Sequence, residues 1–152
     1  MITIQIEEVC AAPVDYAFRY VADYRNTIHY LYGLSKFEPV TELDQGVGAV
    51  FDGSLGLGPV TLSCRMRAVD WDEPTLIRSK SVRGLDTEFT YRFAAVDAER
   101  SRVGLSIDLN FLGLAGRAMA KAVGPFIDSA RKQTGTRLAE QVAAYYSAQR
   151  TA

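Results

Sequence analysis

The sequence predicts an α+β fold: a seven-stranded antiparallel sheet wrapped around a long C-terminal helix, with two short helices between strands 1 and 2. Three observations carry that prediction. The first stretch and the middle of the chain alternate apolar and polar residues with period two, which marks strands with one wet face. The last forty residues repeat instead at i, i+3, i+4 and i+7, which marks one amphipathic helix. Between the first strand and the rest stand Pro13 and Asp23, both residues that start helices.

Each element has its own reason. In the first strand, Met1 to Val9, Ile2, Ile4 and Ile6 alternate with Thr3, Gln5 and Glu7. Pro13 opens a helix whose apolar stripe is Val14, Phe18 and Val21. Asp23 caps a second, short helix running to about His29, and Gly33 closes the pair. Six strands follow: Lys36 to Leu43, Val47 to Gly53, Pro59 to Val69, Thr75 to Val82, Asp86 to Ala94 and Arg102 to Phe111. Turn formers such as Asp44-Gln45-Gly46, the Gly53 to Gly58 stretch and Arg83-Gly84 separate them, as in an antiparallel meander. The terminal helix presents Met119, Val123, Phe126, Ile127, Ala130, Thr134, Leu138, Val142 and Tyr145 on one side. Gly124-Pro125 lies inside it, and proline removes a helical hydrogen bond, so a kink or break is expected there.

Composition excludes several classes. The 152 residues suit one domain, 1–152, and 17 Lys plus Arg against 18 Asp plus Glu leave a net charge of -1. That balance argues against nucleic-acid binding by bulk charge, and 48% hydrophobic content argues against disorder. No apolar run reaches the ~18 residues of a membrane span, and the N-terminus lacks the basic start and apolar block of a signal peptide. The chain therefore reads as cytoplasmic and complete, a monomer or weak homodimer. Cys10 and Cys64 read as two buried free thiols, with a disulfide as the alternative. With a single histidine, His29, and no CxxC pair, no metal site is expected, nor any cofactor.

A twisted sheet curving around one helix cannot be filled evenly, so a cavity is expected between them. Taking the charged phase of each strand as outward, the inward residues are Phe51, Cys64, Met66, Ile77, Ser79, Ser81, Phe89, Tyr91 and Phe93. Met119, Val123, Phe126 and Ile127 of the long helix would close it. For most of these positions simple core packing competes with ligand contact, and Ile107, Leu109 and Val142 read as packing. The inward polar minority of Ser79, Ser81, Tyr91 and Tyr30 tilts the set toward a small-molecule pocket of ~300 to 1,000 Å³. Five of the eight tyrosines fall in the two-helix segment; Tyr30 and Tyr32 are the ligand candidates, Tyr16 and Tyr20 half-buried helix faces.

On several of these residues the chain resembles the START/Bet v 1-like superfamily, in its SRPBCC, polyketide cyclase/dehydrase-like branch. The resemblance spans nearly the whole chain. It rests on Ala12-Pro13, Val21-Ala22-Asp23-Tyr24-Arg25-Asn26, Val47-Gly48-Ala49-Val50-Phe51, Thr90-Tyr91-Arg92-Phe93 and the terminal helix. Many members carry a tryptophan after the second helix, where this chain has Tyr30. The resemblance implies the helix-grip fold and a site for lipids, sterols, polyketides or other apolar molecules between sheet and helix; a minority of members catalyse cyclisation.

Three functions follow as expectations. The leading one is non-catalytic binding or transport of a hydrophobic small molecule, such as a lipid, polyketide or isoprenoid. The alternatives are a cyclase or aromatase using the same cavity, and a protein-interaction module whose cavity is vestigial. For cyclase chemistry Tyr91 or Tyr30 would polarise a carbonyl and His29 would be the base, although a helix-end His29 reads first as solvated. No inward carboxylate pair and no nucleophile elbow are present. Arg117, Lys121, Arg131, Lys132 and Arg137 on the long helix read as a solvated face, with transient docking to an anionic membrane as the second reading.

Overall fold

The computed structural model describes residues 1–151. It has the expected architecture. Strand β1 (Ile2–Cys10) is followed by helix α1 (Val14–Ala22), a 3-10 turn (Tyr24–Asn26) and helix α2 (Thr27–Tyr30). Strands β2 (Leu34–Pro39), β3 (Val50–Leu57), β4 (Val60–Asp72), β5 (Leu76–Gly84), β6 (Asp86–Ala95) and β7 (Ser101–Asn110) come next. Helix α3 (Gly113–Val123), a 3-10 turn (Gly124–Phe126) and helix α4 (Ile127–Thr151) end the chain. The seven strands form one antiparallel sheet in the order β1-β7-β6-β5-β4-β3-β2.

The largest differences from the sequence reading are at the ends of β2 and β3, and β4 also runs on to Asp72. β2 stops at Pro39; the Val40 N–H still donates to the Val50 carbonyl at 2.9 Å, and residues 40–43 are not strand. β3 runs from Val50 through Gly53 and Gly56 to Leu57, where the glycines read as a turn. A Cβ on Gly53 would touch the Phe37 ring at 3.4 Å, and the Gly56 N–H donates to the Gly33 carbonyl at 2.8 Å. Gly33 itself has φ 84°, and a side chain there would strike the Gly56 carbonyl. The expected break in the long helix falls at Gly124-Pro125-Phe126.

Sheet and helices enclose an apolar core whose centre includes Phe18, Tyr30, Leu105, Leu109, Val123, Leu138 and Val142, none more than 2% exposed. Helix α4 lies along β1, where Thr134, Gly135, Leu138 and Val142 are its buried residues. Helices α1 and α2 both touch α4, so they stand between it and the far part of the sheet.

Candidate functional site

An apolar cavity of about 90 Å³ lies between the α1–α2 segment and strands β2 to β6, with Leu109 of β7 at its base. Strand alternation builds its wall. Leu62, Cys64, Met66 and Ala68 come from one face of β4, Ile77 and Ser79 from β5, and Thr87, Phe89 and Tyr91 from β6. Phe37 and Phe51 stack at 4.8 Å on the other side, with Tyr24 against Phe51 at 5.8 Å. Tyr30 and Leu31 of the α2 region are the buried roof. Toward the mouth, Leu34, Leu55, Cys64, Leu85 and Phe89 are half-buried.

The cavity wall carries one strong polar feature. The Tyr30 and Tyr91 hydroxyls hydrogen-bond at 2.9 Å, with Tyr30 fully buried and Tyr91 nearly so. One O–H bridges the pair, which leaves the second as a donor for an oxygen placed in the cavity. Burial pushes the Tyr91 hydroxyl up to about 12. The Tyr30 hydroxyl is also raised well above the ordinary value, first by burial and then by Tyr91 beside it. Both groups stay protonated and neutral near pH 7, able to donate but not to act as bases. Thr87 spends its hydroxyl on the Asp108 carbonyl at 2.7 Å.

Of the residues expected to line a pocket, the structure brings together Tyr30, Phe51, Cys64, Met66, Ile77, Ser79, Phe89 and Tyr91. It places the others elsewhere. Ser81 accepts a hydrogen bond from the Thr87 N–H at 3.0 Å, and Phe93 packs edge-on against Phe18 of α1 at 5.1 Å. The Tyr32 N–H donates to the Thr134 hydroxyl and its ring lies under Arg137, so Tyr32 faces α4. Met119, Val123, Phe126 and Ile127 line no part of the cavity: Val123 is core, Met119 and Ile127 pack beside it, and Phe126 covers the β3–β4 turn at Gly58. The cavity is therefore closed by α1 and α2, not by the C-terminal helix. The physical reason is the wedge that α1 and α2 form between α4 and the open strands. Tyr20 reaches Gln141 of α4 at 3.3 Å, and Tyr16 stacks edge-on against Tyr146 at 4.8 Å. His29 is exposed and away from the cavity, so it offers no base to a molecule inside. Cys64 is half-buried where a buried thiol was expected, and it is not bonded to Cys10.

Lining residues missed in the sequence have identifiable causes. Trp71 faces inward because β4 bulges between Ala68 and Asp70, which reverses the alternation beyond it. A second bulge, where Arg65 and Met66 pair with Arg83 and Ser81, leaves Val82 unpaired and delays the β5–β6 turn, so Leu85 joins the wall. Thr87 could have been found, since it shares the inward parity of Phe89 and Tyr91. Among the described residues no group of three His, Cys, Asp or Glu side chains is placed to hold a metal ion.

A curled antiparallel sheet around a long C-terminal helix, with two short helices over an apolar cavity, defines a Bet v 1-like, SRPBCC-type helix-grip protein. More narrowly, the chain belongs to the family described as polyketide cyclase / dehydrase and lipid transport, which matches residues 1–143. Solved structures agree on the fold. A protein of Thermus thermophilus shares 20% identity at TM-score 0.76, covering 94% of this chain and 98% of its own. The Zhui aromatase/cyclase of a Streptomyces species shares 18% identity at TM-score 0.72, with 93% of each chain covered. A Thalictrum norcoclaurine synthase point mutant, in complex with a transition-state analogue, shares 16% at TM-score 0.65, covering 95% of each chain. No curated protein matches the sequence.

Proposed function

We propose that the protein binds a hydrophobic small molecule in the cavity under α1 and α2, with the Tyr30–Tyr91 hydroxyl pair as its polar contact. The apolar wall around that spare donor, with the Ser79 hydroxyl as a second polar group, carries the reading. At about 90 Å³ the cavity, open on one side, is below the ~300 to 1,000 Å³ expected from sequence. The guest therefore places one apolar end and one carbonyl or hydroxyl oxygen inside, and its remainder passes the half-buried mouth. A lipid, polyketide or isoprenoid-like chain meets that description. Two unbonded thiols support a carrier in a reducing compartment such as the cytoplasm; among the described residues no helix is long and apolar enough to cross a membrane.

The test is native mass spectrometry of protein from its own host, paired with displacement of a fluorescent apolar probe. A retained apolar mass, and probe affinity reduced about tenfold in Ala68→Leu, support binding, because that substitution fills the cavity from a buried wall position. No retained mass and unchanged probe affinity overturn it in favour of an interaction module.

One observation favours a second reading, a cyclase or aromatase. A buried tyrosine pair that stays protonated can hydrogen-bond the oxygen of a developing enolate. Turnover of a poly-β-ketone analogue, lowered about 10²-fold in Tyr91→Phe, would support it. An inactive wild type removes it.

A further inference from the structure

We propose that the outer face of α3 docks on an anionic lipid surface at the end of the molecule where the cavity lies. Helix α3 is fixed from beneath. Val123 and Gly116 are buried, and Gly116 lies so close to the Phe111 backbone that a Cβ would come within 2.7 Å of its carbonyl carbon. Phe126 rests on the Gly58 turn between β3 and β4. The opposite face carries Leu114 and Ala118 one turn apart, with Arg117 and Lys121 one turn apart beside them. Leu112 and Leu114 are 70% and 84% exposed, and Phe126 is 36% exposed at the far end.

A single exposed leucine needs no explanation, but the charge distribution here does. The chain has 18 acidic residues and a net charge of -1, yet none of those acids lies between Asp108 and Asp128. The solvent face of α4 shows the ordinary alternative: Asp128 is paired with Arg131 and Lys132, and Glu140 follows. The α3 face has cations with no acid of its own segment to pair with, set beside protruding aliphatic groups. That combination suits the interface of an anionic bilayer, where leucine tips enter the acyl boundary and arginine and lysine meet phosphate. A second copy of the same face would set cation against cation.

Topology joins this face to the cavity. Leu112 lies two residues beyond the end of β7, and that end pairs with the start of β6. Leu55, Leu62, Leu85, Thr87 and Leu109, at that same end of the sheet, line the cavity. Docking through α3 thus brings the cavity end toward the acyl phase, although the docking itself does not depend on which molecule the cavity holds.

The experiment is co-sedimentation of the whole chain with vesicles of phosphatidylcholine alone or mixed equally with phosphatidylglycerol. Wild type is expected to partition onto the mixed vesicles and to lose about fivefold on raising salt from roughly 0.05 to 0.5 M. Leu114→Glu should lose about tenfold, and the double variant Arg117→Gln/Lys121→Gln about fivefold; the double variant decides if the first fails to fold. Equal partition onto neutral vesicles, no partition at all, or variants that partition like wild type would overturn the proposal. So would a lipid-free dimer, seen by sedimentation velocity, that Leu114→Glu dissolves.

Discussion

The two halves of the sheet solve the same packing problem differently. On one side of the molecule helix α4 lies directly along β1 and α1 touches β7, and Ile4, Ile6, Val103, Leu105, Leu138 and Val142 are all nearly or fully buried. Gly135 lies against the Glu8 carboxylate, which a side chain there would push aside. Along β2 to β5 no long helix reaches the sheet. Two short helices bridge the gap, the sheet carries two bulges in β4–β5, and an apolar space remains. A rigid rod can fill one side of a curled sheet but not both. The first half is filled, and the second keeps the space.

That contrast can be broken by mutation. Leu138→Ala, in the filled half, should cost about 3 kcal/mol, because its surroundings cannot collapse into the space. Leu62→Ala, on the cavity wall, should cost about half as much, since the wall already lacks partner atoms on one side. Urea unfolding of both variants checks the order, and equal losses would erase the distinction between halves.

Next in size is the tyrosine pair. Tyr91→Phe should lose about 1 to 2 kcal/mol by leaving the buried Tyr30 hydroxyl without its partner. The Tyr30→Phe/Tyr91→Phe double variant should recover part of that loss, measured as a coupling energy in a double-mutant cycle.

The same pair contributes to the alkaline limit, together with Tyr20 and Cys10, whose protons burial also holds to higher pH. Folded Tyr91 holds its proton to about 12, while an unfolded tyrosine releases it near ~10. Above the unfolded value the unfolded chain binds fewer protons, so this contribution to stability is complete below pH ~10 and is lost as pH rises toward the folded value. Melting temperature should fall through that window, and less steeply in Tyr91→Phe.

The smallest effect separates the thiols. Cys10 is buried in the filled half, where burial and then Glu8 raise its thiol to about 11. Cys64 is half-buried at the cavity, its thiol also raised, first by burial and then by Asp52. A small alkylating reagent should modify Cys64 first, read by peptide mass spectrometry, and an occupied cavity should slow that reaction.

Much of the fold was legible because its signals are local. Ile2, Ile4 and Ile6 announce β1, the charged phase of Leu62 to Ala68 announces which side faces in, and Gly124-Pro125 announces the helix break. Glycine misled at Gly53 and Gly56, which lie inside β3 and not in a turn. The cavity wall was half legible. Phe51, Met66, Ser79 and Tyr91 follow from alternation, whereas Trp71 and Leu85 depend on bulges that no pattern of residue types marks.

The sequence by itself determined seven strands, the terminal helix and the inward phase of most strands, because periodicity is written residue by residue. Only the tertiary structure decided that α1 and α2, and not α4, roof the cavity, how small it is, and that Tyr30 meets Tyr91 across 61 residues of chain. Those outcomes depend on where a rigid helix comes to rest on a bent sheet, and that is set by the sum of many contacts and not by any one segment.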